Sequence, residues 1–148
     1  MITNNYAKIL TELQSHLSDT LAYIELDLGQ LEVYDTRPAV SFPCGLLRFA
    51  GNYEQRQLKT QLNRFTLTVK LGFDVYGNSS SLVPSLAREQ ALSYLETEQD
   101  VYVKLQGWMG TVLCEPLTRI SDADQYSEDG LRKRLVVFRG AYVDNLEL

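Results

Sequence analysis

Residues 63–76 constrain the fold more than any other part of the sequence. Apolar side chains occupy every second position of this segment, at Phe65, Leu67, Val69, Leu71, Phe73 and Val75. Because successive side chains of a strand point to opposite faces of a sheet, the segment is predicted to form a long strand with one buried and one mostly solvated face. Gly72 falls on the solvated side, where a glycine is typical of a β-bulge or of a close backbone approach.

Two amphipathic helices are predicted, one on either side of this strand in the sequence. Residues 3–18 place apolar side chains at helical spacing, and Thr3 or Asn4 can cap the first turn: the stripe is Tyr6, Ile9, Leu10, Leu13 and Leu17. The second helix begins near Pro84, and its expected stripe is Leu86, Ala87, Ala91, Tyr94 and Leu95. Beyond Gln99 a strand also fits, but a whole or broken helix ending before Gly107 is favoured. The carboxylates Glu96, Glu98 and Asp100 are expected to face water.

Shorter strands complete the predicted sheet. On the N-terminal side they are a connection plus strand within 21–34, a strand at 39–42 that ends at Pro43, and a strand over 46–49. Residues 51–61 fit either a loop or the extended start of the long strand. On the C-terminal side a strand begins at Glu115, and residues 131–143 form its antiparallel partner. Between them lies an acidic loop, 121–130, in which Asp129-Gly130 is a turn signal.

This order of elements predicts one α+β domain spanning 1–148. Its mostly antiparallel sheet is expected to have about four to five strands, with two helices packed on one face. A chain of 148 residues has the usual size of one domain.

Charge is segregated along the chain, whose formal net charge is −5. Residues 37–70 carry +5, whereas 1–36 and 71–148 carry −5 each. The segments are either three solvated surfaces or the two complementary patches of a subunit that contacts a copy of itself, through a basic 37–70 region and an acidic 1–36 region or 122–129 loop. The candidate interface residues are Arg48, Arg56, Lys59, Arg64, Asp122, Asp124, Glu128 and Asp129. Although bases and aromatics alternate in 48–65, an acidic chain disfavours nucleic acid as a partner.

Reactive side chains form no catalytic pattern in the sequence. His16 is the only histidine, and Cys44 and Cys114 are too far apart for a metal motif or a disulfide framework. Asp122 and Asp124 have the spacing of a calcium loop, but the sequence lacks the oxygen ligand and the glycine that such a loop needs next. The chain is therefore predicted to be no enzyme and to bind no metal or cofactor. With no signal peptide or membrane-spanning stretch, it is expected to be made in the cytosol.

Several segments together are similar to a known family. After the N-terminal helix come a proline-led strand, residues 37–40 (RPAV), and the long alternating strand that leads to the second helix. Residues 105–108 (LQGW) then precede 116–120 (PLTRI), an aspartate-rich loop and a closing strand over 131–144. In this order of features the chain resembles phage tail-terminator and head-tail-joining proteins.

The resemblance implies a structural role. Such a subunit assembles with copies of itself into a ring, usually of six, that caps the tail tube and joins it to the head connector. It implies tail-tube and head-connector proteins as partners, a location in the virion or in the bacterial host cytoplasm during assembly, and no cofactor. The alternatives are a non-catalytic protein-binding adaptor of a mobile element and, third, a small cysteine-dependent enzyme.

Overall fold

The computed structural model describes residues 1–32, 40–74, 80–125 and 131–146. Helix α1 (Asn5–His16) begins directly after Asn4, whose side-chain oxygen accepts the backbone N–H groups of Tyr6 and Ala7 at 2.9 and 3.2 Å. These contacts satisfy N–H groups that have no partner within the helix. The predicted first helix and its Asn4 cap are confirmed, although the helix is shorter at both ends than 3–18.

The strands form one six-stranded sheet. They are β1 (Tyr23–Leu26), β2 (Cys44–Ala50), β3 (Tyr53–Gln57), β4 (Thr60–Phe73), β5 (Glu115–Gln125) and β6 (Arg132–Asn145). Their order is β1-β2-β4-β6-β5, and β3 pairs with β4 outside this path. Only β1 and β2 are parallel among these pairs. The α+β class and the mostly antiparallel sheet are confirmed, but the sheet has more strands than predicted.

Strand β4 is the centre of the sheet. It pairs with β6 along its whole length, from Thr60 opposite Asn145 to Phe73 opposite Arg132. The predicted buried face is confirmed over residues 65–73, whereas Val75 and Tyr76 lie outside the described residues. The opposite face is less solvated than predicted, because Lys70 on it is only 8% exposed.

Gly72 marks a close approach rather than a bulge. The ladders on both sides of β4 pass through Gly72 without a shift in register. A Cβ atom added there would lie 2.7 Å from Cδ1 of Leu31 and 2.8 Å from Sγ of Cys44. Any side chain larger than hydrogen would therefore push these two buried residues away from the sheet.

Both helices pack on the same face of the sheet. Helix α2 (Ser85–Leu105) is continuous to Leu105, which confirms the favoured helical interpretation beyond Gln99. Both helices contribute to the main core, whose members include Ile9, Leu13, Leu47, Phe65, Leu67, Val101, Leu105 and Phe138. The predicted stripe of α2 is partly wrong, because Leu86 and Leu95 are exposed and the buried residues are Ala91, Glu98, Val101 and Leu105.

Three further predictions are corrected by the pairing of the strands. Residues 40–42 of the expected strand at 39–42 are not in a strand, and residue 39 is not described. Residues 51–61 are only in part what was expected: residues 60 and 61 are the start of β4, but the stretch also contains the unpredicted strand β3, which pairs with β4 as a hairpin. The expected acidic loop is a strand as far as Gln125, because β5 continues to pair with β6 there. The turn at Asp129-Gly130 lies outside the described residues.

A smaller cluster covers one end of the second face of the sheet. It contains Leu31, Cys44, Leu46 and Leu131, and the chain that follows β1 brings Leu31 onto it. The buried ammonium of Lys70 lies beside this cluster, 3.2 Å from Oδ2 of Asp27 and 2.7 Å from Oε1 of Glu32. The rest of the second face remains uncovered by any helix or strand that the structure describes.

Candidate interaction surface

The uncovered part of the second face is a polar, basic surface. We call it the open face, and its members are Arg48, Arg64, Thr66, Thr68, Val137 and Arg139. The register places Thr68 between Arg48 of β2 and Val137 of β6, and it places Thr66 directly opposite Arg139. Residues from three neighbouring strands therefore form one continuous patch.

The arginines of the open face are only loosely paired within the chain. The guanidinium of Arg48 lies 3.6 Å from Asp27, and that of Arg64 lies 3.7 Å from Glu54 and 3.8 Å from Glu115. Arg139 makes no ion pair with any residue that the structure describes. The side chains of Arg48 and Arg64 are 70% and 51% exposed. The pairs of Arg64 are exposed on both sides and contribute about 0–1 kcal/mol each, so Arg64 remains available to an acidic partner. Arg48 faces the buried carboxylate of Asp27, but its own side chain is 70% exposed and can be reached from solvent.

The structure separates the basic residues predicted from the sequence into two groups. Arg48 and Arg64 lie together on the open face, whereas Arg56 lies on β3, 3.9 Å from Glu54, and Lys59 lies in the turn between β3 and β4. Arg139 was missed because it belongs to the acidic segment 71–148. The only sequence signal for it was the alternation along the last strand, and that pattern cannot reveal which strand lies beside it.

The acidic residues predicted from the sequence are engaged within the chain. Arg134 of β6 contacts Asp122 at 3.3 Å and Asp124 at 3.1 Å, and it also binds the two carboxylate oxygens of Glu98 at 2.9 and 3.2 Å. Asp122 and Asp124 thus share the single guanidinium of Arg134 with Glu98, and their own side chains are 41% and 74% exposed. Glu128 and Asp129 lie outside the described residues.

Glu98 was expected to face water, and this prediction is wrong. It points from α2 towards the sheet, is 9% exposed and holds the guanidinium of Arg134. The hydrogen bond to Glu98 raises the pKa of Arg134, burial acts in the opposite direction, and Asp124 raises it further. The net effect keeps Arg134 charged, so the pair joins α2 to the end of the sheet through charge-assisted hydrogen bonds.

The two cysteines and the histidine lie in different surroundings, and Cys114 is exposed. Cys44 is fully buried, and burial raises the pKa of its thiol to about 11, so that the unreactive protonated form predominates at neutral pH. His16 Nε2 lies 2.7 Å from the carbonyl oxygen of Lys104, and its ring stacks on Trp108. An open cleft of about 570 Å³ beside Phe73 and Tyr94 is lined by neither a cysteine nor a histidine.

In residues 1–32, 40–74, 80–125 and 131–146, no three histidine, cysteine or carboxylate side chains are grouped so that they could hold a metal ion. Neither helix in the described part of the chain is long and apolar enough to cross a membrane.

The chain was also compared with known proteins. No protein-family model matches it. No curated protein has a significantly similar sequence.

Proposed function

We propose that this chain is a structural subunit of the tail-terminator type, encoded by a phage or prophage. Copies of it assemble into a ring, the hexamer typical of that family, that caps the tail tube and joins it to the head connector. The order of sequence features supports the proposal. The observation that carries it is the open face, a basic sheet surface that no helix or strand of the described residues covers.

The composition of the open face, rather than its lack of a covering layer, supports association. Sheets in globular proteins usually bury their apolar face against a second layer and leave the other face polar. Here the open face combines three arginines with Thr66, Thr68 and the half-buried Val137. Such a mixture of charge and partly apolar surface fits a protein interface better than a surface that only contacts water.

The cysteine-dependent enzyme is less supported for Cys44, because its thiol is buried and its pKa is raised, whereas Cys114 is exposed. An adaptor domain remains the second candidate, and the open face is the observation that favours it. An adaptor would present that face to a different, acidic protein. A ring subunit would present it to a copy of itself.

Particles that lack this protein test the capping function. Deleting its gene from the phage or prophage that encodes it is expected to leave tail tubes without a terminating cap, so that electron microscopy shows tails of irregular or excessive length and few joined to heads. A plasmid copy of the intact gene serves as the control and should restore tails of uniform length. Deletion particles with normal tails attached to normal heads would rule out the proposed role.

A further inference from the structure

Helix α2 has a second, outward surface that carries acid and apolar side chains. Its members recur at intervals of three and four residues, which places them on one side of a helix. We call this surface the outward stripe, and it consists of Glu89, Leu92, Glu96, Asp100 and Val103. All five residues are exposed, with Leu92 at 37% and Val103 at 66%. Helix α2 is thus apolar on its buried side and partly apolar on its solvent side.

The three carboxylates of the outward stripe are not paired with the described bases nearest to them, Arg88 beside Glu89 and Lys104 one helical turn beyond Asp100. Glu89, Glu96 and Asp100 form no ion pair with any described residue. Of these two bases, Arg88 is half-buried, and Lys104 is paired with Asp19 at 3.3 Å. The outward stripe is therefore an acidic surface with apolar side chains at Leu92 and Val103, and it is separate from Asp122 and Asp124.

The carboxylates of the outward stripe and the arginines of the open face have similar spacing. With a rise of 1.5 Å per residue, Glu89 lies about 10 Å from Glu96 and about 16 Å from Asp100 along the helix. From strand spacing and rise, Arg48 lies about 12 Å from Arg139 and about 14 Å from Arg64 across the open face. The differences of a few ångströms are within the reach of flexible arginine and glutamate side chains.

We propose that the outward stripe of α2 docks on the open face of a second copy of this chain. Glu89 pairs with Arg48, Glu96 with Arg139 and Asp100 with Arg64. Leu92 and Val103 pack on Val137 and on the methyl groups of Thr66 and Thr68. The inference rests on the proposed function, since it names the contact by which the ring forms. It also replaces the acidic surfaces expected from the sequence, 1–36 and 122–129, with a surface on α2.

This contact joins two different surfaces of the same chain. Helix α2 packs on one face of the sheet through its buried side, whereas the open face lies on the other side of the sheet. Each copy can therefore donate its outward stripe to one neighbour and receive the stripe of another. Such head-to-tail contacts generate a closed ring when the rotation between copies closes.

Charge reversal tests the contact by sedimentation velocity of the full chain over a range of concentrations. Arg139→Glu and Glu96→Lys are each expected to weaken self-association by about tenfold or more, because each brings like charges together. The protein that carries both changes should associate nearly as well as the unmodified chain. Lys8→Glu, an exposed change on α1, is the matched control and should have no effect. The proposed contact would be overturned if the double variant did not recover self-association. It would also be overturned if Arg139→Glu, Glu96→Lys and Lys8→Glu weakened self-association equally.

Directed disulfide formation gives a second readout that does not depend on charge. In a background with Cys114→Ser, one protein carries Thr68→Cys and a tagged protein carries Leu92→Cys. Mild oxidation of the mixture is expected to give a tagged–untagged dimer. When Lys8→Cys replaces Leu92→Cys, little dimer should form. Equal cross-linking by both pairs, or none by either, would contradict the docking geometry.

The results separate this inference from the proposed function. If neither Arg139→Glu nor Glu96→Lys affects ring formation, the proposed contact is wrong, but the capping role is not contradicted. A chain that shows no self-association at any soluble concentration would overturn the contact, while the tails of deletion particles would still decide the capping role.

Discussion

Replacing Arg134 with methionine is expected to lower the free energy of unfolding by about 3–5 kcal/mol, because it leaves the buried carboxylate of Glu98 without its partner. Glu98 and Arg134 have side chains only 11% and 13% exposed, and two hydrogen bonds of 2.9 and 3.2 Å join them. The change also removes the cation between Asp122 and Asp124, so that these neighbouring carboxylates repel each other. Urea denaturation followed by the fluorescence of Trp108, the single tryptophan, measures the loss.

Arg139→Met is the matched control for this prediction. Arg139 lies on the same strand, β6, but it is exposed and has no ion pair with any residue that the structure describes. Its replacement should change the free energy of unfolding by about 0.5 kcal/mol or less. If Arg134→Met and Arg139→Met lowered the free energy of unfolding by the same small amount, the contact of α2 with the sheet through Glu98 would not stabilise the fold as the geometry indicates.

Replacing Lys70 with methionine is expected to lower the free energy of unfolding by about 2–4 kcal/mol at pH 7, since Asp27 would remain buried without its closest cation. The side chain of Asp27 is 5% exposed and that of Lys70 is 10% exposed. Arg48 at 3.6 Å and the N–H of Gly29 at 3.1 Å stay in place, so the loss falls towards the lower end of the usual range for a broken buried pair. Thr68→Met, on the same strand and the same face, is the control and should have a smaller effect.

The effect of Lys70→Met is expected to shrink at acid pH. The hydrogen bond from Lys70 is the main cause that lowers the pKa of Glu32. Burial acts to raise the pKa of Asp27, but the hydrogen bonds from the Gly29 N–H and from Lys70 outweigh burial. The net effect is a lowered pKa of Asp27. Carboxyl groups whose pKa is lowered by folding stabilise the protein above their ordinary pKa, and this stability is lost as the pH falls through the folded value.

The free energies of unfolding of the unmodified protein and of Lys70→Met should therefore approach each other as the pH falls below about 4, near the ordinary pKa of free carboxyl groups. Denaturation of both proteins at a series of pH values between neutral and strongly acid conditions provides the measurement. A difference between them that stayed constant over the whole series would show that Lys70 acts through packing alone.

Local signals in the sequence predicted local structure well. The spacing of Ile9 and Leu13 with the Asn4 cap predicted α1, and strict alternation predicted β4, because each pattern depends only on neighbours in the chain. The pairing of β5 with β6 was also predicted, since two strands joined by a short polar connection usually form a hairpin. These elements needed no knowledge of distant residues.

The errors arose where distant residues decide the environment. Glu98 was placed in water because a carboxylate near a helix end usually lies there, but Arg134 from a strand 36 positions away binds it. Lys70 is buried by the segment that contains Asp27 and Glu32 for the same reason. The parallel pairing of β1 with β2 likewise has no local signature.

The candidate surface was predicted in part. Arg48 and Arg64 were identified by the basic character of residues 37–70, and β4 brings them to one face of the sheet. Arg139 joins them only because the register of β4 and β6 places it opposite Thr66. Asp122 and Asp124 were chosen as free acids, whereas the strand pairing placed Arg134 between them and α2. Net charge over a segment therefore indicated where bases and acids lie along the chain, but it could not show which of them contact each other in the fold.

Imaging of assembled particles tests the central claim most directly. Cryo-electron microscopy of tails from the phage or prophage that encodes this chain is expected to show a closed ring at the head-proximal end of the tail tube, with six copies of this fold in contact with one another. Particles in which the chain is absent from that position, or in which single copies are bound without lateral contact, would contradict the account.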